Sequence, residues 1–417
     1  MERLPGFRDF YPEPLPQPDL WSADARQYIF EQWRSVSRRY GFREYDGPPL
    51  EPLELFTAKS GEEIVGQLYN FTDKGGRDVA LRPEMTPTLA RMVAAHERNY
   101  KKPIKWFALP QLFRYERQQK GRLREHFQLN ADILGEADTG ADAELIALLI
   151  DILRALGLLS EDFVIRLSSR NAWDDFFKKN NGDPAREYEF FQAIDKLERE
   201  EPDISEQKLK SFGVSLAQVR SFIEAGEPTS ELKSILENLS ARGLQSFVKV
   251  DYGVIRGLAY YTGVVFEAFD RKGEFRAIAG GGRYDNLVGL LSGGKTNLPA
   301  LGFGMGDVVL LELLKARQRL PKFYNAIKVF CLIEDETSRS DSLKFIQDLR
   351  QSGLAVEYSL TPAKPDKQFK RAQELGARFV CKIERPPSGD AVISVKDLKT
   401  REQRTITPAE APSQLAI

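Results

Sequence analysis

The sequence predicts an α+β protein in two units. An antiparallel-sheet unit spans residues 1–321 with a helical insertion at about 171–244, and a smaller α/β unit spans residues 322–417. Three observations predict this. From Val248 onward, strand-like runs alternate with turns and are crowded with glycines at 253, 257, 263, 280, 281, 282, 302, 304 and 306. Upstream, charged helical stretches such as REYEFFQAIDKLEREE and SELKSILENLSARG interrupt a strand pattern that resumes on both sides. After Pro321 the composition breaks, and strands alternate with helices through short links, the mark of a mixed sheet with right-handed crossovers.

Composition narrows the function classes. The 417 residues are enough for two or three cores, and 42% hydrophobic with 29% charged residues is an ordinary soluble balance. No apolar run reaches the ~20 residues of a membrane span. The leading MERLPGFRDFYPEP has no apolar h-region, so the cytoplasm is the expected compartment. Cys331 and Cys381 are the only cysteines and sit among apolar neighbours, as reduced core residues do. His96 and His126 are the only histidines and have no metal-ligand spacing, so chemistry is expected from arginine, carboxylate and tyrosine, with no protein-held metal. A net charge of -1 excludes bulk nucleic-acid coating and leaves local basic patches open.

In order, PGFRDFYP is a proline-bounded leading segment. A helix is expected from about Asp19 to Tyr40, with Tyr28, Ile29, Trp33, Val36 and Tyr40 on one face and Gly41 as its stop. That face suits either a dimer interface or burial within one subunit. A hairpin follows over Gln67–Arg82, then Glu84 at a strand-to-helix junction, where a carboxylate either caps the helix or binds an amine. The next helix is expected over Thr88–Asn99. Thr139 and Asp142 have capping-box spacing ahead of AELIALLIDILRAL, which Gly157 ends. FVIRLSSR alternates as a strand. In the second unit Lys364, Lys367, Lys370, Arg371 and Lys396 form either a nucleic-acid surface or a solvated face.

Between KWFALPQLF and LNADILG lies FRYERQQKGRLREHFQ, a polar loop longer than the about two to five residues of ordinary hairpins. Arg114 and Glu116, two apart on an extended strand, share a face. They offer a guanidinium fork for phosphate or carboxylate beside an acceptor for an amine. The alternative is an exposed charged hairpin. GFGMGD contains GxGxG but lacks the strand-turn-helix context of a dinucleotide site.

Taken together, PGFRDFYP, LRPEMTP, FRYERQQKGR followed by LNADILG, RGLAYYTGVVFE, AGGGRYDNLV and LGFGMGD resemble the class II aminoacyl-tRNA synthetases, and specifically the histidyl-tRNA synthetase family, along nearly the whole chain. The resemblance implies a class II antiparallel-sheet catalytic domain and a C-terminal anticodon-binding domain. It implies a homodimer that joins L-histidine to tRNA(His) through a histidyl-adenylate, with ATP and Mg²⁺. It implies that Arg114 and Arg256 carry the chemistry. Glu84, Thr86, Gln128 and Asp132 are implied around the substrate amino group, Tyr260 and Tyr261 at the imidazole, and Met85, Arg114 and Arg256 also on the histidine. Arg114 and Glu116 are implied on ATP. Arg117, Gln118, Gln119, Lys120 and Arg124 are implied on the tRNA acceptor stem.

Two departures from the family pattern matter, and a third is milder. Val308 and Val309 stand where it commonly has Glu-Arg, so an ATP-binding arginine is missing, and Arg122 and Arg283 are the expected substitutes. Losing one positioned donor typically costs ~3 kcal/mol. Ala259 stands where an Asp is common, and the order His126-Phe127 is swapped. Two other functions compete. One is a noncatalytic paralogue like the ATP phosphoribosyltransferase regulatory subunit, which typically lacks the C-terminal domain. The other is an ATP-dependent ligase for a free amino acid or carrier, which would leave the basic loop without a polymer to grip.

Overall fold

The computed structural model describes residues 2–60, 62–115, 123–197, 200–255, 260–323, 327–386 and 390–416. The chain divides into two compact units, residues 1–10 with 21–321, and residues 11–20 with 322–417.

The first unit is built on a nine-stranded sheet. Its order runs Val248–Val250, Phe163–Ser169, Val264–Asp270, Ala279–Arg283, Ala300–Gly306, Glu125–Leu134, Ile104–Ala108, Arg43–Glu44, with Gln111–Phe113 pairing the start of the long Glu125–Leu134 strand. The five strands from Phe163–Ser169 to Glu125–Leu134 are antiparallel neighbours, and Ile104–Ala108 extends that run. The outermost pairs are parallel, Phe163–Ser169 with Val248–Val250 and Arg43–Glu44 with Ile104–Ala108. Glycines close the centre. A Cβ on Gly281 would overlap the carbonyl oxygen of Gly302 and crowd Phe303 on the next strand, so this pair of strands tolerates no side chain there.

Helix Ala23–Arg39 begins at Ser22, whose hydroxyl accepts from the Ala25 amide at 3.1 Å, and Gly41 past its end takes φ +78. Ile29, Trp33 and Val36 are buried within the chain itself, which decides for intrachain burial at those positions. This helix packs on Gly140–Ala155, apolar nearly all round and buried between it and Ser230–Ala241. The expected Thr139–Asp142 capping box does not form. Thr139 makes no cap bond, and the Asp138 carboxylate accepts from the Gly140 amide at 2.7 Å instead, because Asp142 is committed to Arg283. The helix after the hairpin spans Thr86–His96, with a single 3-10 turn Glu97–Asn99 at its end.

Among the described residues, five α-helices, Arg170–Lys179, Glu187–Asp195, Pro202–Lys210, Leu216–Ala225 and Ser230–Ala241, occupy the region expected to be a helical insertion. The first, second and fourth share an aromatic core: Phe177 stacks on Phe190 at 4.4 Å, and Trp173 meets Phe222 edge-on at 4.7 Å.

The second unit is the expected mixed sheet. Val356–Tyr358, Val329–Cys331 and Phe379–Glu384 are parallel, and Val392–Asp397 and Gln403–Ile406 follow antiparallel. Cys331 and Cys381 are buried free thiols in register on neighbouring strands. Among the described residues no helix is long and apolar enough to cross a membrane.

Gly281→Ala is expected to cost about 3 kcal/mol or more, read as a lower midpoint in chemical denaturation. An unchanged midpoint would contradict the close strand approach.

Candidate functional site

Alternation along the Glu125–Leu134 strand builds the site. His126, Gln128, Asn130 and Asp132 share one face, while Phe127, Leu129 and Ala131 take the other. The antiparallel partner strand opposes Gly302 to Asp132, Gly304 to Asn130 and Gly306 to Gln128. A Cβ on Gly302 would overlap Asp132 Oδ1, and one on Gly304 would overlap the Gln128 amide. Polar side chains from one strand therefore lie across bare backbone of the next, and a polar cavity opens above them.

Glu84, Thr86, Arg114, Gln128, Asn130, Asp132, Tyr260, Tyr261 and Tyr284 line that cavity, together with backbone at Gly280, Gly302 and Gly304. Thr86 comes from the first turn of the Thr86–His96 helix. Arg114 follows strand Gln111–Phe113 and is anchored by Nε donating to the Pro83 carbonyl at 3.1 Å. Gln128 Nε2 donates to Asn130 Oδ1 at 2.9 Å.

At one end the Tyr284 hydroxyl donates to Asp132 Oδ1 at 2.6 Å, while Asp132 Oδ2 is buried with no partner among the described residues. Burial pushes the Asp132 carboxyl up to about 7, partly offset by the Tyr284 hydrogen bond. The Tyr284 hydroxyl is held well above its usual range by burial and by the Asp132 charge. Tyr260 lies 4.7 Å from Tyr261 and meets Tyr284 edge-on at 6.0 Å, centroid to centroid. This end combines a buried acceptor with aromatic faces. The cavity lining also carries Glu84 and Arg114, one group for a cation and one for an anion.

A second cavity adjoins the first and shares Arg114 and Gln128 with it. Its remaining lining is Leu123, His126, Gly306, Val308 and Val309. The strand's alternation turns His126 toward this space and Phe127 away, where Phe127 packs edge-on against Phe30 at 5.3 Å and Phe10 at 6.0 Å.

Of the residues singled out in the sequence, the structure brings Glu84, Thr86, Arg114, Gln128, Asp132, Tyr260 and Tyr261 around one cavity. Two expectations are corrected. Met85 is fully buried, with its sulfur 3.7 Å from Arg82 Nη1; the helix start turns it inward, away from the cavity its neighbours line. Arg283 is not available to ATP. Its guanidinium is buried and donates to Asp142 Oδ2 at 2.6 and 2.9 Å, to the Glu136 carbonyl at 3.1 Å and to the Asp138 carbonyl at 2.8 Å. Arg124 places its guanidinium 4.4 Å from the Tyr115 ring. Glu116, Arg117, Gln118, Gln119, Lys120, Arg122, Arg256 and Ala259 lie outside the described residues. Sequence reasoning missed Asn130, although it shares the two-residue period of Gln128 and Asp132, and Tyr284, although it sits inside GGGRYD.

The model of the histidyl-tRNA synthetase family matches residues 17–307, and that of an anticodon binding domain matches residues 327–416. The chain belongs to the histidyl-tRNA synthetase family. It is 43% identical to a histidine–tRNA ligase of Opitutus terrae, covering 97% of this chain and 95% of that protein. A histidine–tRNA ligase of Thermoplasma volcanium is 39% identical over 98% of this chain and 96% of its own length. A crystal structure of histidyl-tRNA synthetase from Nostoc shares the fold with a TM-score of 0.77 at 24% identity, covering 97% of each chain. Membership joins the cavity's acid, arginine and tyrosines to one catalytic domain, and the mixed sheet of the second unit to anticodon binding.

A carboxyl whose pKa is raised by folding stabilises the folded state fully below its unfolded value, and that contribution is lost as pH rises through the folded value. For Asp132 the window runs from its ordinary 3.8 to about 7. In urea denaturation without ligand, the parent is expected to lose stability relative to Asp132→Asn across that window, by up to ~4 kcal/mol. Parallel stability curves would contradict a buried, proton-retaining carboxyl.

Proposed function

We propose that this chain is a histidine–tRNA ligase, which activates L-histidine with ATP and transfers the histidyl group to tRNA(His). The observation that carries the amino-acid choice is the buried, unpartnered Asp132 Oδ2 beside three tyrosines. An imidazole ring is flat, fits between aromatic faces and presents a ring N–H, the donor that oxygen lacks. The resemblance grouped Asp132 with the amino-group residues; its bond to Tyr284 supports a place at the ring instead. Glu84, Thr86 and Gln128 then receive the α-ammonium, and Arg114 the carboxylate and the ATP α-phosphate. The adjoining cavity at His126, Val308 and Val309 takes the nucleotide's base side.

In the first step a histidine carboxylate oxygen attacks the α-phosphorus, and the bond to pyrophosphate breaks. Negative charge gathers on the phosphoryl oxygens, where fixed guanidinium groups stabilise it without reorganisation. Arg114 and, by its place in the family motif, Arg256 fill that role. A terminal ribose hydroxyl of the tRNA then attacks the adenylate carbonyl and releases AMP. Both steps need positioning and no protein nucleophile. ATP enters as its Mg²⁺ complex, in which the ion neutralises phosphate charge; such ions commonly keep waters and take only one or two carboxylates.

The loop from Arg117 to Arg124 meets the acceptor stem, through Arg117, Gln118, Gln119, Lys120 and Arg124. Residues 1–321 form the catalytic domain and 322–417 the anticodon-binding domain, and the second speaks against a regulatory paralogue that lacks one. The working form is a cytoplasmic homodimer. Two thiols retained on neighbouring strands, Cys331 and Cys381, suit a reducing compartment.

Histidine-dependent ATP–pyrophosphate exchange followed by charging of tRNA(His) tests the reading. No exchange with any amino acid would overturn it, and exchange without charging would point to a ligase for a smaller acceptor. Arg256→Ala is expected to slow adenylate formation by about a hundredfold or more while histidine binding changes far less. Equal losses in both would contradict a role confined to the transition state.

A further inference from the structure

A buried ionic junction lies behind the second cavity and joins three distant parts of the chain. Arg8 Nε donates to Glu125 Oε1 at 2.7 Å, and Arg8 Nη1 donates to Asp307 Oδ2 at 2.8 Å. Arg8, Glu125 and Asp307 are all buried. The guanidinium carbon sits 5.0 Å from the Phe10 ring centre and 4.7 Å from that of Trp21. Glu125 also accepts from Gln111 Nε2 at 3.0 Å, and Asp307 Oδ1 from the Phe127 amide at 3.0 Å. The Gly6 carbonyl accepts from the Arg124 amide at 3.0 Å, which fastens the segment carrying Arg8 to the start of the long strand.

Each carboxylate is one residue away from the second cavity. Glu125 precedes His126, and Asp307 opens the Asp307–Ala316 helix, which presents Val308 and Val309. Two buried carboxylates face one guanidinium, so without Arg8 the strand and the helix would repel each other or one acid would take a proton. Burial already holds the Asp307 carboxyl above its usual range, and Arg8 is the main charge opposing that.

We propose that Arg8 is a positioning residue for the nucleotide: it sets the separation of the two walls, His126 on one side and Val308 with Val309 on the other, between which the base of ATP is held. The proposal rests on the ligase reading above. It makes the leading PGFRD segment part of the ATP site, although none of its residues lines either cavity. The histidine cavity takes its floor from strand pairing further along, at Gly302 and Gly304, and shares with the second cavity only Arg114 and Gln128.

The test is the KM for ATP against the KM for histidine in pyrophosphate exchange, for the full-length parent, Arg8→Lys, Arg8→Met and Glu125→Gln. Lysine keeps the charge but cannot fork to both acids. Arg8→Lys is expected to raise the ATP KM by about tenfold or more while the histidine KM stays within about twofold. Arg8→Met should do so more strongly and Glu125→Gln less. An unchanged ATP KM in Arg8→Lys would overturn the proposal. So would equal weakening of both substrates alongside a fall in melting temperature, which is the behaviour of a purely structural ion pair. Should Arg8→Met fail to fold, Arg8→Lys and Glu125→Gln decide the matter. A parent without histidine-dependent exchange would overturn the ligase reading itself, whereas an active parent with insensitive variants overturns only the role of Arg8.

Discussion

The missing side chain at Gly302 is the constraint on which the site depends. Asp132 can lie across the neighbouring strand only because nothing projects from that backbone, and the same holds for Gln128 above Gly304. One strand away, Gly281 lets the sheet close tightly against the Gly302 carbonyl and Phe303. Glycine lowers the intrinsic strength of a strand. Here the loss is offset by antiparallel pairing on both sides, with the ten-residue Glu125–Leu134 strand and with Ala279–Arg283, so the centre of the sheet can be bare and still fully paired.

Burial alone does not decide what a carboxyl does in this protein. Asp132 and Asp142 are both buried, and burial raises both, to about 7 and about 6. Asp142 receives the Arg283 guanidinium and holds the helix–sheet junction together. Asp132 receives only a neutral hydroxyl from Tyr284, which leaves one oxygen unmatched. Each acid keeps one buried oxygen without a partner among the described residues, so the difference lies in charge and place: Asp142 is matched by a guanidinium and lines neither cavity, whereas Asp132 has no cation bonded to it and faces the cavity, ready for a donor. Arginine placement divides the same way. Arg283 and Arg8 are saturated by protein partners, whereas Arg114 lines both cavities.

Much of this was legible in the sequence, wherever local period or composition carried the information. The glycine-bearing strands, the helical insertion, the mixed C-terminal sheet and most of the cavity lining follow from spacing and motif. What escaped depends on contacts between distant segments. Arg283 looked available because Asp142, its partner 141 residues away, cannot be seen from GGGRYD. The same ion pair removed Asp142 from the cap it was spaced to form. Met85 sits between two cavity residues, but the first turn of a helix sends adjacent side chains in different directions. Arg8 lies 117 residues from one acid and 299 from the other, a separation at which no pattern along the chain could have linked them.

The parallel pairing of Phe163–Ser169 with Val248–Val250 changes what the helical insertion is. Ile165 is level with Val248, so the chain leaves the first strand four residues past the level at which it must start the second. No tight turn can make that return. Parallel neighbours require a crossover, commonly of a dozen residues or more. The five helices between these strands are therefore a bridge the sheet cannot do without, however much of their bulk serves other ends. An engineer seeking a minimal version of this catalytic unit could shorten the bridge, but excising it outright would sever the outermost strand from the sheet.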